Sequence, residues 1–218
     1  ILFLSMKIVA ISDTHSRHRE LDIPECDILI HGGDFTYFSK GEESEILDFL
    51  SWLNAQPAKH KVFIAGNHEV FWESKEQYFK NKVPEGIHYL NDSSVTIEGI
   101  KIWGSPITPT FYNWAYNKDR GEEIKKHWDL IPDDVDILVT HGPAYGIIDN
   151  SIDGHVGCEE LLKKIEMNPP SIHLFGHIHL GGKTIRKIQD KEVSFYNTAL
   201  VNGKYEIIRN PHIFEFKK

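Results

Sequence analysis

Residues 7–15 read KIVAISDTH. A short apolar, β-branched run ends abruptly in a Ser-Asp-Thr-His cluster, the pattern of a buried strand that stops at a polar loop. The arrangement recurs along the chain. DILI (27–30) closes on Gly32-Gly33-Asp34, and KVFIA (61–65) on Gly66-Asn67-His68-Glu69. DILVT (136–140) runs into His141-Gly142-Pro143, and SIHLF (171–175) into Gly176-His177-Ile178-His179. Strand ends of open α/β sheets are where ligand sites form.

The segments between these runs fill in the fold. Ser44–Asn54 places Ile46, Leu47, Phe49, Leu50 and Leu53 at helical spacing, with Ser44 as a candidate cap. Helices are also expected over Arg120–Trp128 and Cys158–Met167. Ile87–Leu90, Ser94–Glu98 and Ile100–Trp103 read as a meander, and Ser105–Tyr116 as a long aromatic loop. Val193–Asn197, Tyr205–Ile208 and Ile213–Phe216 are expected to finish the sheets. Early β-α-β order followed by strands in series indicates α/β with more than one sheet.

The bulk numbers narrow the function. The chain has 218 residues, 40% hydrophobic and 26% charged, which fits one soluble globular domain. Residues 1–5 read as an N-terminal extension and 6–218 as the domain. A net charge of −8 argues against an extended grip on nucleic acid. No apolar run approaches the length of a membrane span. Two cysteines, Cys26 and Cys158, do not make a secreted disulfide scaffold, so a reducing, cytoplasmic setting is expected.

Asp13 and His15 are spaced i, i+2, as are His177 and His179, a spacing that puts side chains on one face of extended backbone. Carboxylate, imidazole and amide donors without thiolate suit Mn, Fe, Zn, Co or Ni better than a structural zinc site. Read singly, each residue has an ordinary explanation: Asp13 a helix cap, Asp34 and Asn67 turn residues, each His a hydrogen-bonded structural group.

Taken as an ordered set, DTH, GGD, GNHE, THG and GHIH resemble the signature of the calcineurin-like metallophosphoesterases. SDTHSRHREL (12–21), GSPITPTFYNWAYN (104–117), THGPAYGIID (140–149) and GHVGCEELL (154–162) are similar to the brain-type metallophosphoesterase-domain proteins and their microbial relatives. The resemblance implies a four-layer αββα sandwich of two mixed sheets. It implies two divalent metal ions, manganese foremost. Asp13, His15 and His179 would hold one metal, Asn67, His141 and His177 the other, and Asp34 would bridge them. His68 would be the general acid, with Glu69 orienting it, and a metal-bridging hydroxide would attack phosphorus.

The substrate expected from that branch is a small phosphodiester, cyclic nucleotides included. Asn113, Trp114 and His155 are candidate substrate contacts. So are Arg17 and His18, for which a solvated charge is the default reading, as it is for Arg120. Phe111, Tyr112, Trp114 and Tyr116 read either as a satellite core or as a wall for a nucleobase. His31 is weighed as a residue orienting Asp34 against plain packing. The rivals are a phosphomonoesterase or phosphoprotein phosphatase, and a nucleotide-binding module or scaffold with little turnover. No membrane partner is expected, and a homodimer is allowed rather than required.

Overall fold

The computed structural model describes residues 5–37 and 43–218. The strands in chain order begin with β1 (Ser5–Ile11), β2 (Cys26–His31), β3 (Ala58–Phe63), β4 (Ile87–Tyr89) and β5 (Ser93–Ile97). Next come β6 (Ile100–Ser105), β7 (Thr108–Pro109), β8 (Asn117–Lys118), β9 (Ile137–Thr140) and β10 (Asn150–Ser151). The last are β11 (Gly154–His155), β12 (Ile172–Phe175), β13 (Gly182–Ile188), β14 (Lys191–Asn197) and β15 (His212–Lys217). The helices are α1 (Glu43–Ala55), α2 (Val70–Ser74), α3 (Glu76–Lys80), α4 (Glu122–Trp128) and α5 (Glu159–Met167).

Two mixed sheets result, ordered β15-β1-β2-β3-β4 and β13-β14-β12-β9-β6-β5. Side-chain alternation along each strand explains why they stack. Ile8 and Ala10 of β1, Ile28 and Ile30 of β2, and Val62 of β3 point inward. There they meet Ile102, Ile137, Val139, Ile172 and Leu174 of the other sheet in one buried cluster. The residues between them, Val9, Ile11, Leu29, Phe63, Leu138 and Phe175, point outward under the helices. Because both faces of each central strand are covered, these strands read as continuous apolar runs.

Aromatic packing fixes the helical layer over the first sheet. Phe49 of α1 stacks on Phe35 at 4.1 Å between ring centroids, and Trp72 of α2 meets Phe63 edge-on at 5.6 Å. Over the second sheet, Trp128 of α4 donates its indole N–H to the Cys158 sulfur at 3.3 Å, just before α5. The αββα sandwich expected from the sequence is therefore the fold. Among the described residues, no helix is long and apolar enough to cross a membrane.

Some expectations need correction. The meander is not one: β4 pairs in parallel with β3 in the first sheet, whereas β5 and β6 form a hairpin in the second. Asn91 and Asp92 carry the chain across. Tyr205–Ile208 is no strand of either sheet; only an isolated bridge joins Ile207 to Val201, and Tyr205 has φ of 60°. Between β12 and β14 in the chain lies a strand not expected from the sequence, β13, which pairs with β14 and whose GKTIRKI sequence is an exposed edge rich in Lys and Arg. Ser44 lies inside α1 rather than capping it. Of the expected extension, residues 1–4 lie outside the described residues, and Ser5 already pairs with Lys217.

Candidate metal centre

The loops after β1, β2, β3, β9 and β12 meet at one end of the sandwich. Backbone hydrogen bonds zip them together: Asp13 N–H to Gly33 O at 2.9 Å, His15 N–H to Asp34 O at 3.1 Å, and Gly176 N–H to His141 O at 2.9 Å. The reason the paired residues share a cleft differs from the extended-backbone argument. Asp13, His15, Asp34 and His177 all lie in the left-handed region, with φ of 52°, 41°, 53° and 64°. Each chain turns sharply on leaving its strand, and it is the turn, not strand alternation, that aims the side chains. Holding non-glycine residues there costs of order 1–3 kcal/mol each, and such outliers cluster at functional sites.

Seven side chains converge. Asp34 is the centre: its Oδ2 lies 3.2 Å from His141 Nε2 and 3.9 Å from His15 Nε2. Asn67 Oδ1 is 2.9 Å from His141 Nε2 and 2.7 Å from His177 Nδ1. On the other side His179 Nε2 stands 3.4 Å from Asp13 Oδ1 and 3.3 Å from His15 Nε2. Three overlapping ligand groups follow: Asp13 with His15 and His179, Asp34 with His141 and His177, and His15 with Asp34 and His68.

The donor chemistry fits cations. His15 donates its Nδ1 proton to Thr36 O at 3.1 Å, and His141 donates its own to Gly32 O at 2.9 Å. These bonds fix the ring orientations and leave both Nε2 atoms facing the cluster, where a bound cation would take the place of a proton. The facing Nε2 atoms of His15 and His179 need a proton or a cation between them. Charge balance points the same way. Burial disfavours charge throughout the site, but His179 and His141 outweigh it at Asp13, whose carboxyl falls to about 2. At His141 burial is outweighed by Asp34, and the imidazole rises to about 9. Burial holds His15 and His177 near about 4, so both are neutral donors at neutral pH.

His68 occupies the rim. Its Nδ1–H is donated to Tyr37 O at 2.7 Å, its backbone N–H to Asp34 Oδ1 at 2.9 Å, and its Nε2 stands 3.9 Å from Asp34 Oδ2. Trp114 covers one face of the ring. Glu69 does not orient His68. Its Oε2 accepts the N–H of Asp34 at 2.9 Å and of Gly66 at 2.6 Å. Its Oε1 accepts the N–H of Thr36 at 2.9 Å and the Thr36 hydroxyl at 2.8 Å. Glu69 is thus the buried brace of the Asp34 loop: burial and the nearby Asp34 charge push its carboxyl upward, against the donors from Thr36 and Gly66 that favour the ionised form.

The remaining candidates scatter. His18 is buried against Phe49 and Trp52 and bonds Asp48 at 2.9 Å, so it faces α1 and not the cleft. Arg17 bonds Glu20 at 2.8 Å and Tyr205 O at 3.0 Å. His155 bonds the buried Asp149 at 2.6 Å. Asn113 is exposed. The aromatic loop splits: Tyr116 is core and bonds Tyr89 at 3.1 Å, Tyr112 is exposed, and only Trp114 and Phe111 approach the site. His31 braces rather than orients Asp34, bonding Thr14 Oγ1 at 3.0 Å and accepting the Gly33 N–H at 3.2 Å.

Sequence reasoning missed three contributors. Arg209 clamps the His179 loop by donating to His179 O at 3.0 Å and Val201 O at 2.6 Å. Tyr205 presses against His15, with ring centroids 4.6 Å apart. The Tyr37 carbonyl holds His68, and a carbonyl leaves no signature in side-chain identity.

Comparison with known proteins agrees with this geometry. The profile of the calcineurin-like phosphoesterases matches residues 6–181. The chain belongs to the calcineurin-like phosphoesterase family. Human metallophosphoesterase domain-containing protein 1 is 36% identical over 96% of the chain and 70% of its own length. A UPF0046 protein of Caenorhabditis elegans is 31% identical over 98% of the chain and 76% of its own length. Among solved structures, the phosphopantetheinyl hydrolase of Mycobacterium tuberculosis superposes with a TM-score of 0.60 at 16% identity, covering 91% of this chain and 90% of that one. TT1561 of Thermus thermophilus superposes with a TM-score of 0.57 at 14% identity, over 88% and 89% of the two chains. At such identities the two structures speak for the fold alone. Membership makes this calcineurin-like phosphoesterase a metal-dependent enzyme of phosphoester hydrolysis.

Proposed function

We propose that the protein hydrolyses small phosphodiesters, nucleotides foremost, at a dinuclear centre loaded with manganese. The supporting observation is Asp34, whose carboxylate stands between two sets of carboxylate, imidazole and amide donors. Asp13, His15 and His179 would hold one ion, and Asn67, His141 and His177 the other. Bound cations would activate water as a nucleophile and polarise a phosphate oxygen.

The chain's own residues do the rest. Glu69 and the Asp34 loop fix the position of the shared carboxylate. His68 keeps its Nδ1 proton on Tyr37 O, which leaves Nε2 to carry the proton given to the departing alcohol oxygen as the P–O bond breaks. Trp114 excludes water from one face of that imidazole.

The test compares bis(4-nitrophenyl) phosphate with 4-nitrophenyl phosphate after manganese loading. The diester reading expects the first to be turned over with the higher kcat/KM, and Asp34→Ala to abolish turnover and metal uptake together. Preference for the monoester would assign a phosphomonoesterase. Absent turnover with retained nucleotide binding would assign a binding module.

A further inference from the structure

A cavity of about 430 Å³ opens beside the metal centre, and His177 and Ile178 form part of its wall. Phe111 lies on it from the aromatic loop, its ring 6.2 Å from that of His177. Ile152, at the turn between β10 and β11, rims it with a side chain that is 100% exposed. Pro143 and Val156 add further apolar surface. A group bonded to a phosphate at the metal centre would pass over His177 into this space.

The charges on its wall are the selective feature. Among the described lining residues, Arg120 is the one arginine or lysine. Its guanidinium is engaged elsewhere: it donates to Gly157 O and Val156 O, each at 2.7 Å, and pairs with Glu159. Arg120 therefore builds the loop that forms the wall. Asp153 lines the cavity and adds a negative charge. A second phosphate placed there would meet a carboxylate and no uncommitted cation.

Resting on the phosphodiesterase reading, we propose that this cavity sets specificity: it takes an uncharged, apolar substituent of the phosphodiester and rejects one bearing a second phosphate. An apolar pocket of this kind discriminates by roughly 10- to 200-fold for small changes in the group it holds.

The test uses three 4-nitrophenyl phosphodiesters, whose second substituent is phenyl, methyl or 2-phosphoethyl, with the manganese-loaded enzyme and its Phe111→Ala and Ile152→Asp variants. Ile152 is fully exposed, so Ile152→Asp is expected to leave the fold intact, which circular dichroism checks. The readout is the phenyl-to-methyl ratio of kcat/KM, compared between proteins so that intrinsic ester reactivity cancels. The proposal expects the ratio to fall by about 10-fold or more in Ile152→Asp, and 2-phosphoethyl to be the poorest substrate. An unchanged ratio in both variants, or turnover of the 2-phosphoethyl ester equal to that of the phenyl ester, overturns it. If no ester is hydrolysed, the reaction reading fails, and calorimetry with phenylphosphonate and methylphosphonate decides the cavity separately. Tighter binding of phenylphosphonate, lost in Ile152→Asp, supports it; equal binding overturns it.

Discussion

Trp114 lies flat on His68, with ring centroids 4.5 Å apart and planes inclined by 21°. The same imidazole meets His15 edge-on at 4.4 Å, and Tyr37 O holds its Nδ1. His68 is thus fixed in plane and in rotation, the condition for a proton donor that must meet a leaving oxygen at hydrogen-bond distance.

Replacing Trp114 with Ala should leave metal content unchanged and lower kcat for substrates with poor leaving groups by about 10- to 100-fold, part of the range a general acid supplies. Substrates with good leaving groups should be affected least, and Trp114→Phe should recover most of the loss. Steady-state rates across a series of leaving-group pKa values measure this. A uniform loss across the series would mean that Trp114 acts on something other than His68.

Glu69→Gln exchanges an acceptor of four hydrogen bonds for a group that must point an N–H₂ at N–H donors. The Asp34 loop should loosen. Residues that orient metal ligands typically cost 10- to 100-fold in affinity when changed, so manganese affinity should fall by about that factor. Calorimetric titration of the metal-free protein checks it, and unchanged affinity would demote Glu69 to simple packing.

Gly176→Ala places a Cβ against Asp13 Oδ2 and against Oγ and Cβ of Ser12, both residues buried. Asp13 must move, and with it the carboxylate that receives the His177 N–H at 3.0 Å. The expected outcome is loss of the ion on the Asp13 side with the fold retained, read as a drop in metal stoichiometry with unchanged far-ultraviolet circular dichroism.

His173, outside the site, reports on acid stability. It is fully buried, bonds Thr140 Oγ1 at 2.7 Å through Nε2, and has no partner for Nδ1. Burial lowers it from 6.5 to about 3. Between those values the unfolded chain takes a proton that the folded chain refuses. Stability therefore falls as pH drops through this window, by up to about 1.4 kcal/mol per pH unit from this residue. Denaturant unfolding of metal-free protein at pH 7, 6 and 5 should show a shallower acid slope in His173→Leu.

Much of this was legible in the sequence for a physical reason. Strands buried on both faces leave unbroken apolar runs, so KIVAIS, KVFIA and DILVT stand out, and the polar cluster ending each one marks the site. What failed to show depends on long-range pairing. Nothing local tells IHY (87–89) to join β3 while SSVTI (93–97) crosses to the other sheet. The Lys- and Arg-rich β13 lacks an apolar pattern because it is an edge. Asp13 and His177 point inward through left-handed turns, a conformation that Asp and His favour more than most residues but still adopt in only a small fraction of cases. Glu69 was located but its task misread, because its partners are backbone N–H groups supplied by two different loops.

The most direct test is elemental analysis of manganese-supplemented protein combined with anomalous scattering from its crystals. Two ions per chain are expected, one among Asp13, His15 and His179, the other among Asn67, His141 and His177, with Asp34 touching both. A cluster that stays empty under that supplementation, or ions bound without contact to Asp34, would contradict the account.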